Sequence, residues 1–194
     1  MTGVAFGPLI RIILKNSADT QTVGIYSAGL QIFMISQFLM NQISRVGNPM
    51  MAEAGKKDCS LQKRRQFCKK YCLLMLLSVT PFALPLCLCP QFVTEICFTS
   101  EYAELASYLP YFGIYLYSFS IGVVFTQFLI SMRRDKVYFG IYISSALCIV
   151  LCAFCLIPSY SVHGAVIALA IPNSVGCIMY FVFSLKYLRN DSSL

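Results

Sequence analysis

The sequence predicts an all-α integral membrane protein, a helical bundle of about five full transmembrane helices with one partial helix at its N-terminus. Of the 194 residues, 58% are hydrophobic and 12% are charged, and the mean hydropathy is +0.70. This composition leaves too little polar surface to coat a soluble domain of this length. Thirteen of the fifteen Lys and Arg residues also fall in three segments that alternate with long apolar stretches, which is typical of a chain that crosses a bilayer repeatedly.

Six apolar segments follow from the rule that a helix needs about 20 residues to cross the hydrocarbon core. The first is too short and is interrupted by Pro8 and Arg11, so it resembles the end of a helix whose beginning is missing. The whole chain, 1–194, forms one membrane domain in this interpretation. The predicted segments are Thr2–Leu14, Thr22–Ser44, Tyr71–Phe92, Leu105–Ile130, Val137–Ile157 and Val162–Leu185.

Every second connection between these segments is basic. Residues 46–70 carry seven bases, Arg133–Lys136 carry three, and the tail adds Lys186 and Arg189, whereas the other connections carry none. Basic loops remain in the cytoplasm, so we expect these three, and the C-terminus, to be cytoplasmic. Their bases also predict contact with membrane lipids and not with nucleic acid. The basic segment 56–70 is interpreted either as a surface helix on headgroups or a partner, or as a solvated connector.

A polar stripe follows the second segment. At about 100° per residue its polar side chains fall within an arc of roughly 140°. Such side chains are costly in hydrocarbon unless they face other helices or a water-filled cavity. The stripe therefore lines a translocation cavity or joins helices by hydrogen bonds, and its four carboxamides favour the cavity. Its members are Ser27, Gln31, Gln37, Asn41, Gln42 and Arg45.

Two further groups of side chains are candidate ligand contacts. Arg11 is predicted to face the cavity and bind an anionic group such as phosphate, whereas Lys15, one turn later, extends to the interface. Tyr111 and Tyr115 follow Tyr108 at helical spacing. These rings either stack on sugars or form an interfacial aromatic belt.

The sequence gives little support for catalysis or metal binding. His163 is the single histidine, and no carboxylate or nucleophile lies near it in the sequence. No phosphate-binding glycine loop is present, and no acidic pair lies within an apolar segment. The ten cysteines lie mostly among Leu, Ile and Phe, where thiols act as small hydrophobic groups. We therefore expect no enzyme activity, no metal and no cofactor.

Four motifs lie near the ends of the predicted helices, and each resembles a motif of the polysaccharide exporters of the O-antigen flippase type. They are individually loose, but their order and helix spacing make the resemblance fairly specific over nearly the whole chain. Two departures are Thr99, where glycine is usual, and Ile10, where an acidic or polar residue often precedes the arginine. The motifs are Thr22-Val-Gly-Ile-Tyr-Ser-Ala-Gly29, Asn48-Pro-Met-Met-Ala-Glu53, Cys97-Phe-Thr-Ser-Glu-Tyr-Ala-Glu104 and Leu156-Ile-Pro-Ser-Tyr-Ser-Val-His-Gly-Ala-Val-Ile-Ala168.

The resemblance implies the C-terminal lobe of a two-lobed transporter of the multidrug/oligosaccharidyl-lipid/polysaccharide exporter superfamily. Such a transporter moves an undecaprenyl-pyrophosphate-linked oligosaccharide, destined for O-antigen, capsule or exopolysaccharide, across the bacterial cytoplasmic (inner) membrane by alternating access. The implied partners are the lipid-linked oligosaccharide and the missing N-terminal lobe, and Arg11 matches an arginine that is frequent in the family. Two alternatives stay open: a multidrug/cation antiporter of the same superfamily, and a non-transporting accessory subunit of polysaccharide assembly.

Overall fold

The computed structural model describes residues 2–17, 19–56 and 58–190, and all regular secondary structure within these ranges is helical. This confirms the all-α class. Short connections separate most of the helices, so consecutive elements are neighbours in space. The elements are α1 (Thr2–Ser17), α2 (Thr20–Ala54), α3 (Leu61–Leu88), α4 (Pro90–Cys97), a 3₁₀ helix (Ser100–Ser107), α5 (Leu109–Ser131) and α6 (Asp135–Asn190).

Four helices, namely α2, α3, α5 and residues 135–188 of α6, are long and apolar enough to cross a membrane. The fourth reverses at Ser161, whose φ of 47° and ψ of −120° break the helix. Its arms, 135–160 and 162–190, run antiparallel. The contacts between them show this: the Tyr180 hydroxyl donates to the Tyr138 carbonyl at 3.4 Å, and the two rings stack. Each arm exceeds the roughly 20 residues of one crossing, as the predicted fifth and sixth segments require. Helix α1 has 16 residues, fewer than the roughly 20 of one crossing.

The cytoplasmic connection predicted for Val46–Lys70 is wrong in extent, because α2 and α3 continue into it. Helix α2 passes through Pro49 and ends only before Gly55, whose N–H donates to the Met51 carbonyl at 3.1 Å. Helix α3 begins at Leu61, where the Ser60 hydroxyl caps it by accepting from the Lys63 N–H. A hydrophobic span marks only the part of a helix within the hydrocarbon, whereas caps determine where the helix ends. The basic segment therefore includes the first turns of α3.

Two prolines shift the helix ends on the opposite side of the bundle. Helix α3 stops at Leu88, short of the predicted Phe92, because Pro90 opens the separate helix α4. Helix α5 starts at Leu109 and not at Leu105, with Pro110 in its first turn. Proline lacks the N–H that a helix interior requires but is well suited to a first turn.

Helix α5 is the centre of the bundle and packs against α2, α3 and α6. Two glycines permit its closest contacts. A methyl group on Gly29 of α2 would overlap the Phe112 ring, and one on Gly113 would approach the Ala83 carbonyl at 3.0 Å. Small residues at such crossings allow membrane helices to pack closely. In contrast, Leu73 and Leu77 of α3 are about 60% exposed, as side chains that face lipid would be.

The membrane orientation is testable with native cysteines at opposite ends of the bundle. Cys59 precedes α3 and is partly exposed, while Cys97 ends α4 and is exposed. If basic loops stay inside, a membrane-impermeant maleimide applied to intact bacterial cells should modify Cys97 and spare Cys59, as mapped by peptide mass spectrometry. Permeabilised cells, in which both should react, are the control. Labelling of Cys59 but not Cys97 in intact cells would reverse the orientation.

Candidate functional site: a polar cavity between α2, α5 and α6

A cavity of about 250 Å³ lies between α2, α5 and α6. It occupies the half of the bundle that contains the end of α2 and the turn between α5 and α6, which is the side predicted to be cytoplasmic. Its wall includes five carboxamides and five hydroxyls. These are Gln37, Asn41, Asn48, Gln127 and Asn173, and Ser44, Ser118, Thr126, Tyr138 and Tyr180.

Helix α2 forms one wall through a single face. Gln37, Asn41, Ser44 and Asn48 are spaced by four, three and four residues, and this spacing places them one above another along a helix. All four line the cavity. Gln37 and Asn41 make no side-chain hydrogen bond to other described residues. Their amides therefore do not join helices in this structure and are available to a ligand.

Tyr71 of α3 supports this wall from behind. Its hydroxyl is 3.1 Å from Ser44 Oγ and 3.3 Å from Asn48 Oδ1, within donating distance of both. The Ser44 hydroxyl in turn donates to the Met40 carbonyl at 2.9 Å. The ring is fully buried and packs directly on Gly47, where a methyl group would overlap it. The glycine therefore allows α3 to approach α2 closely enough to orient two residues of the wall.

The opposite walls come from α5 and both arms of α6. The Ser174 hydroxyl donates to Ser118 Oγ at 3.1 Å and joins α5 to the second arm. The rings of Tyr138 and Tyr180 stack with centroids 6.2 Å apart and join the two arms. Asn173 donates to the Leu169 carbonyl at 2.7 Å. These contacts leave hydroxyl groups and aromatic faces together on the cavity surface.

The cavity is polar but carries no formal charge at neutral pH. Among the residues that the structure describes, its lining includes no Asp, Glu, Lys, Arg or His. Amides and hydroxyls both donate and accept hydrogen bonds, so they can pair with a ligand rich in hydroxyl groups. Without a charged partner they offer little to a compact ion. The arrangement is suited to reversible hydrogen bonding, because nothing in the lining would hold a ligand by a strong ion pair.

The predicted stripe divides into two sites. Gln37 and Asn41 line the cavity, whereas Ser27 and Gln31 line a separate groove beside residues 96–102, near the opposite end of α2. Gln42 is half-buried and lines neither. Arg45 is exposed and also lines neither. A single helix face of this width therefore meets different neighbours at its two ends.

Arg11 lies apart from the cavity. Its guanidinium is close enough to the Tyr26 hydroxyl for an electrostatic interaction, and Tyr26 precedes Gln37 by three helical turns, or about 16 Å. The Arg11 Nε and the Tyr26 hydroxyl are both buried and have no hydrogen-bond partner among the described residues. Buried polar groups of this kind are uncommon. They form a polar group that includes one base, in the half of the bundle opposite the cavity.

The two candidate tyrosines of α5 occupy different environments. Tyr111 is 41% exposed and makes an edge contact with the His163 ring at 6.4 Å, so it remains a surface aromatic near the reversal at Ser161. Tyr115 is buried in the core, where its ring stacks on Phe33 at 4.7 Å. The structure therefore places Tyr115 behind the cavity and not on its wall. A neighbouring ring, Phe119, does line the cavity.

Several wall residues were missed by sequence reasoning. Ser44 and Asn48 continue the spacing of Gln37 and Asn41. Ser44 is the last residue of the predicted segment and Asn48 lies outside it, so the continuation was not recognised. Asn173 is the one carboxamide in the apolar segment 162–185, and an amide in so apolar a segment is itself a signal for a polar site. Tyr138 and Tyr180 could not be paired, because their contact depends on the fold of α6.

Comparison with known proteins gives one informative similarity. The chain is 25% identical over 173 residues to the capsular polysaccharide biosynthesis protein CapF of Staphylococcus aureus. The match covers 89% of this chain and 43% of CapF, so the chain spans less than half the length of this relative. No protein-family model matches the chain, and no solved structure matches it significantly. The chain is thus an all-α membrane protein with similarity to a protein of capsular polysaccharide biosynthesis.

Proposed function

We propose that this chain is the membrane-embedded part of a transporter that moves a lipid-linked oligosaccharide across the bacterial inner membrane during polysaccharide assembly. The observation that carries the proposal is the cavity between α2, α5 and α6, with five carboxamides, five hydroxyls and no charged side chain. So many polar groups within the membrane-spanning part of a bundle are costly unless they have a use. The proposed use is transient hydrogen bonding to sugar hydroxyls.

The lining is chemically matched to an oligosaccharide in two ways. Side chains that both donate and accept can pair with a hydroxyl in either orientation. The aromatic faces of Tyr138 and Tyr180 offer apolar surface for the carbon-bound faces of sugar rings. Since the wall holds no carboxylate, it is less suited to a cation antiporter. The proposed activity is transport, with neither a catalytic step nor a cofactor.

The similarity to CapF supports a role in polysaccharide assembly. Since the matched region is 43% of CapF, the proposed activity belongs to the whole gene product, with this chain as one lobe. In the proposed mechanism, the cavity faces a second lobe of similar helices, and relative movement of the two lobes alternates its access between the cytoplasm and the outside. The lipid tail of the cargo stays in the bilayer while its sugars occupy the cavity.

Arg11 is proposed to bind the pyrophosphate of the cargo. Its buried, unpartnered Nε leaves guanidinium hydrogen bonds available, and a guanidinium pairs with phosphate oxygens bidentately. Arg11 lies in the outer half, several turns from Gln37. The sugars and the pyrophosphate would therefore be held at different depths of the membrane. This suits a long oligosaccharide, whose sugars extend away from the pyrophosphate.

The test uses the intact gene product in a bacterial strain that lacks the gene. Arg11→Ala should lower surface polysaccharide at least tenfold because the phosphate contact is lost, and Arg11→Lys should restore part of the export by returning the charge without the bidentate geometry. Surface polysaccharide is measured by immunoblot, and membrane insertion is checked for each variant.

The matched control is Lys15→Ala, which removes a base one turn away and should leave export normal. Purified protein in vesicles with a fluorescent lipid-linked oligosaccharide then separates transport from an accessory role. Flipping that depends on Arg11 supports the proposal. Normal polysaccharide in Arg11→Ala, or an intact protein that never flips the lipid, contradicts it.

A further inference from the structure

A second concave surface lies at the same end of the bundle as the polar cavity, between the start of α3 and the end of α6. Its volume is about 700 Å³, within the range of roughly 300–1,000 Å³ that small-molecule sites occupy. We call it the α3/α6 groove. It is lined by Arg65, Cys68, Lys69 and Cys72 of α3, Phe125 of α5, and Phe181, Val182, Leu185, Lys186 and Leu188 of α6.

The floor of the groove is apolar and open to the surroundings of the bundle. Phe125 and Phe181 meet edge to face with ring centroids 5.0 Å apart. Phe181, Val182 and Leu185 remain 41%, 54% and 47% exposed although they are large and apolar. In a membrane-spanning helix, such an indented apolar surface is filled by acyl chains, because water does not reach it and no side chain of the described residues covers these three.

One end of the groove is strongly basic. Arg65 and Lys69 are one turn apart on α3, and Lys186 lies across from them on α6. All three side chains are exposed, and no carboxylate is among the lining residues. Basic pockets between transmembrane helices at a cytoplasmic surface attract anionic lipid headgroups. The ammonium group of a zwitterionic lipid would find no carboxylate partner among these lining residues and would be repelled by the three bases.

We propose that the α3/α6 groove is a binding site for an anionic phospholipid, whose acyl chain covers the apolar floor and whose phosphate is held by Arg65, Lys69 and Lys186. A soluble phosphate would satisfy the bases but would leave the floor uncovered, so the proposal commits to a lipid. The site is separate from the polar cavity and does not depend on which cargo the protein carries.

The absence of tryptophan from the chain provides a direct assay. Leu185→Trp puts a single tryptophan fluorophore in the groove of the full chain. The protein is reconstituted in phosphatidylcholine vesicles with increasing amounts of brominated phosphatidylglycerol, and in a second series in phosphatidylglycerol vesicles with increasing amounts of brominated phosphatidylcholine. Each base contributes about fivefold, at roughly 1 kcal/mol per base near the surface. If at least two of the three bases reach one phosphate at a time, quenching should show a preference of about 25-fold or more for the anionic lipid.

Two variants isolate the groove. Phe139→Trp is the matched control, because Phe139 is 56% exposed at the same end of the bundle, beside Lys136, but is not part of the groove. It should show little preference. Combining Leu185→Trp with Arg65→Gln, Lys69→Gln and Lys186→Gln should remove the preference, whereas Arg133→Gln with Lys136→Gln should retain it.

Three results would overturn the proposal: equal quenching of the Leu185→Trp variant by both lipids, the same preference in the Phe139→Trp variant, or displacement of the lipid by soluble glycerol phosphate. If Leu185→Trp does not fold, native mass spectrometry of the unmodified chain and of the triple glutamine variant replaces it. Phosphatidylglycerol should then remain bound to the first and be lost from the second, and equal retention would contradict the site.

Discussion

Replacing Gln37 and Asn41 together by leucine is expected to lower oligosaccharide transport at least tenfold while the protein still inserts. Both amides line the cavity and make no hydrogen bond to other described residues. Leucine leaves sugar hydroxyls unpaired in a confined site, at a cost of about 1–3 kcal/mol for each lost partner, and 1.4 kcal/mol corresponds to a factor of ten. Membrane insertion should be unchanged, because leucine makes the helix more apolar.

Gln42→Leu is the matched control for this experiment. It removes the same amide from the same helix, one residue from Asn41, but Gln42 lies outside the cavity. We expect at least half of normal transport, measured as vesicle flipping of a fluorescent lipid-linked oligosaccharide and as surface polysaccharide in cells. Equal loss in Gln42→Leu and in the double variant would mean that the stripe acts as a whole. Normal transport in the double variant would mean that the cargo does not pass through the cavity.

This pair of variants also shows what sequence periodicity could and could not provide. Helical spacing correctly grouped the polar residues of α2 on one broad face. It could not distinguish Gln37 from Gln42, because the distinction depends on where α5 and α6 cross that face. An arc of roughly 140° is wider than the contact of any single neighbour, so the face divides between the groove beside residues 96–102, the polar cavity and the half-buried Gln42.

Helix number and helix ends were predictable to different degrees. Apolar length and alternating charge were sufficient for the membrane class, because both reflect the hydrocarbon thickness and the basic cytoplasmic loops. The continuation of α2 to Ala54 and the start of α3 at Leu61 were missed, since helices that extend into water are no longer marked by hydrophobicity. The start of α3 follows instead from the Ser60 cap, and α2 ends before Gly55, a residue of low helix propensity.

The motif around Pro158–Ala168 acquires a physical explanation from the structure. Ser161 reverses the chain with a positive φ, a conformation that is uncommon outside glycine. Three residues later, Gly164 lies directly against the Leu156 carbonyl and the Ile157 nitrogen of the first arm. In the sequence, Gly164 is only one residue of a motif near the end of a predicted helix. The need for glycine there arises from the contact between two backbones, which only the folded hairpin shows.

Gly164→Ala is therefore expected to destabilise the bundle by roughly 2–3 kcal/mol, as overpacked sites commonly do. The added methyl would overlap backbone atoms of residues 156 and 157, and a backbone cannot rotate away as a flexible side chain can. The two arms would have to separate, which would also disturb the contact of Tyr180 with Tyr138 and the far wall of the cavity. Stability is measured by SDS titration of the purified protein in detergent.

Gly140→Ala supplies the control in the same helix. An added methyl there meets nothing within 4 Å, and alanine is favoured over glycine in helices by about 1 kcal/mol or less. This variant should be neutral or slightly stabilised, so the two substitutions should differ in sign although their chemistry is identical. If both variants unfold like the unmodified chain, the arms of α6 do not approach closely at Gly164, and the position of Asn173 and Tyr180 on the cavity wall loses its support.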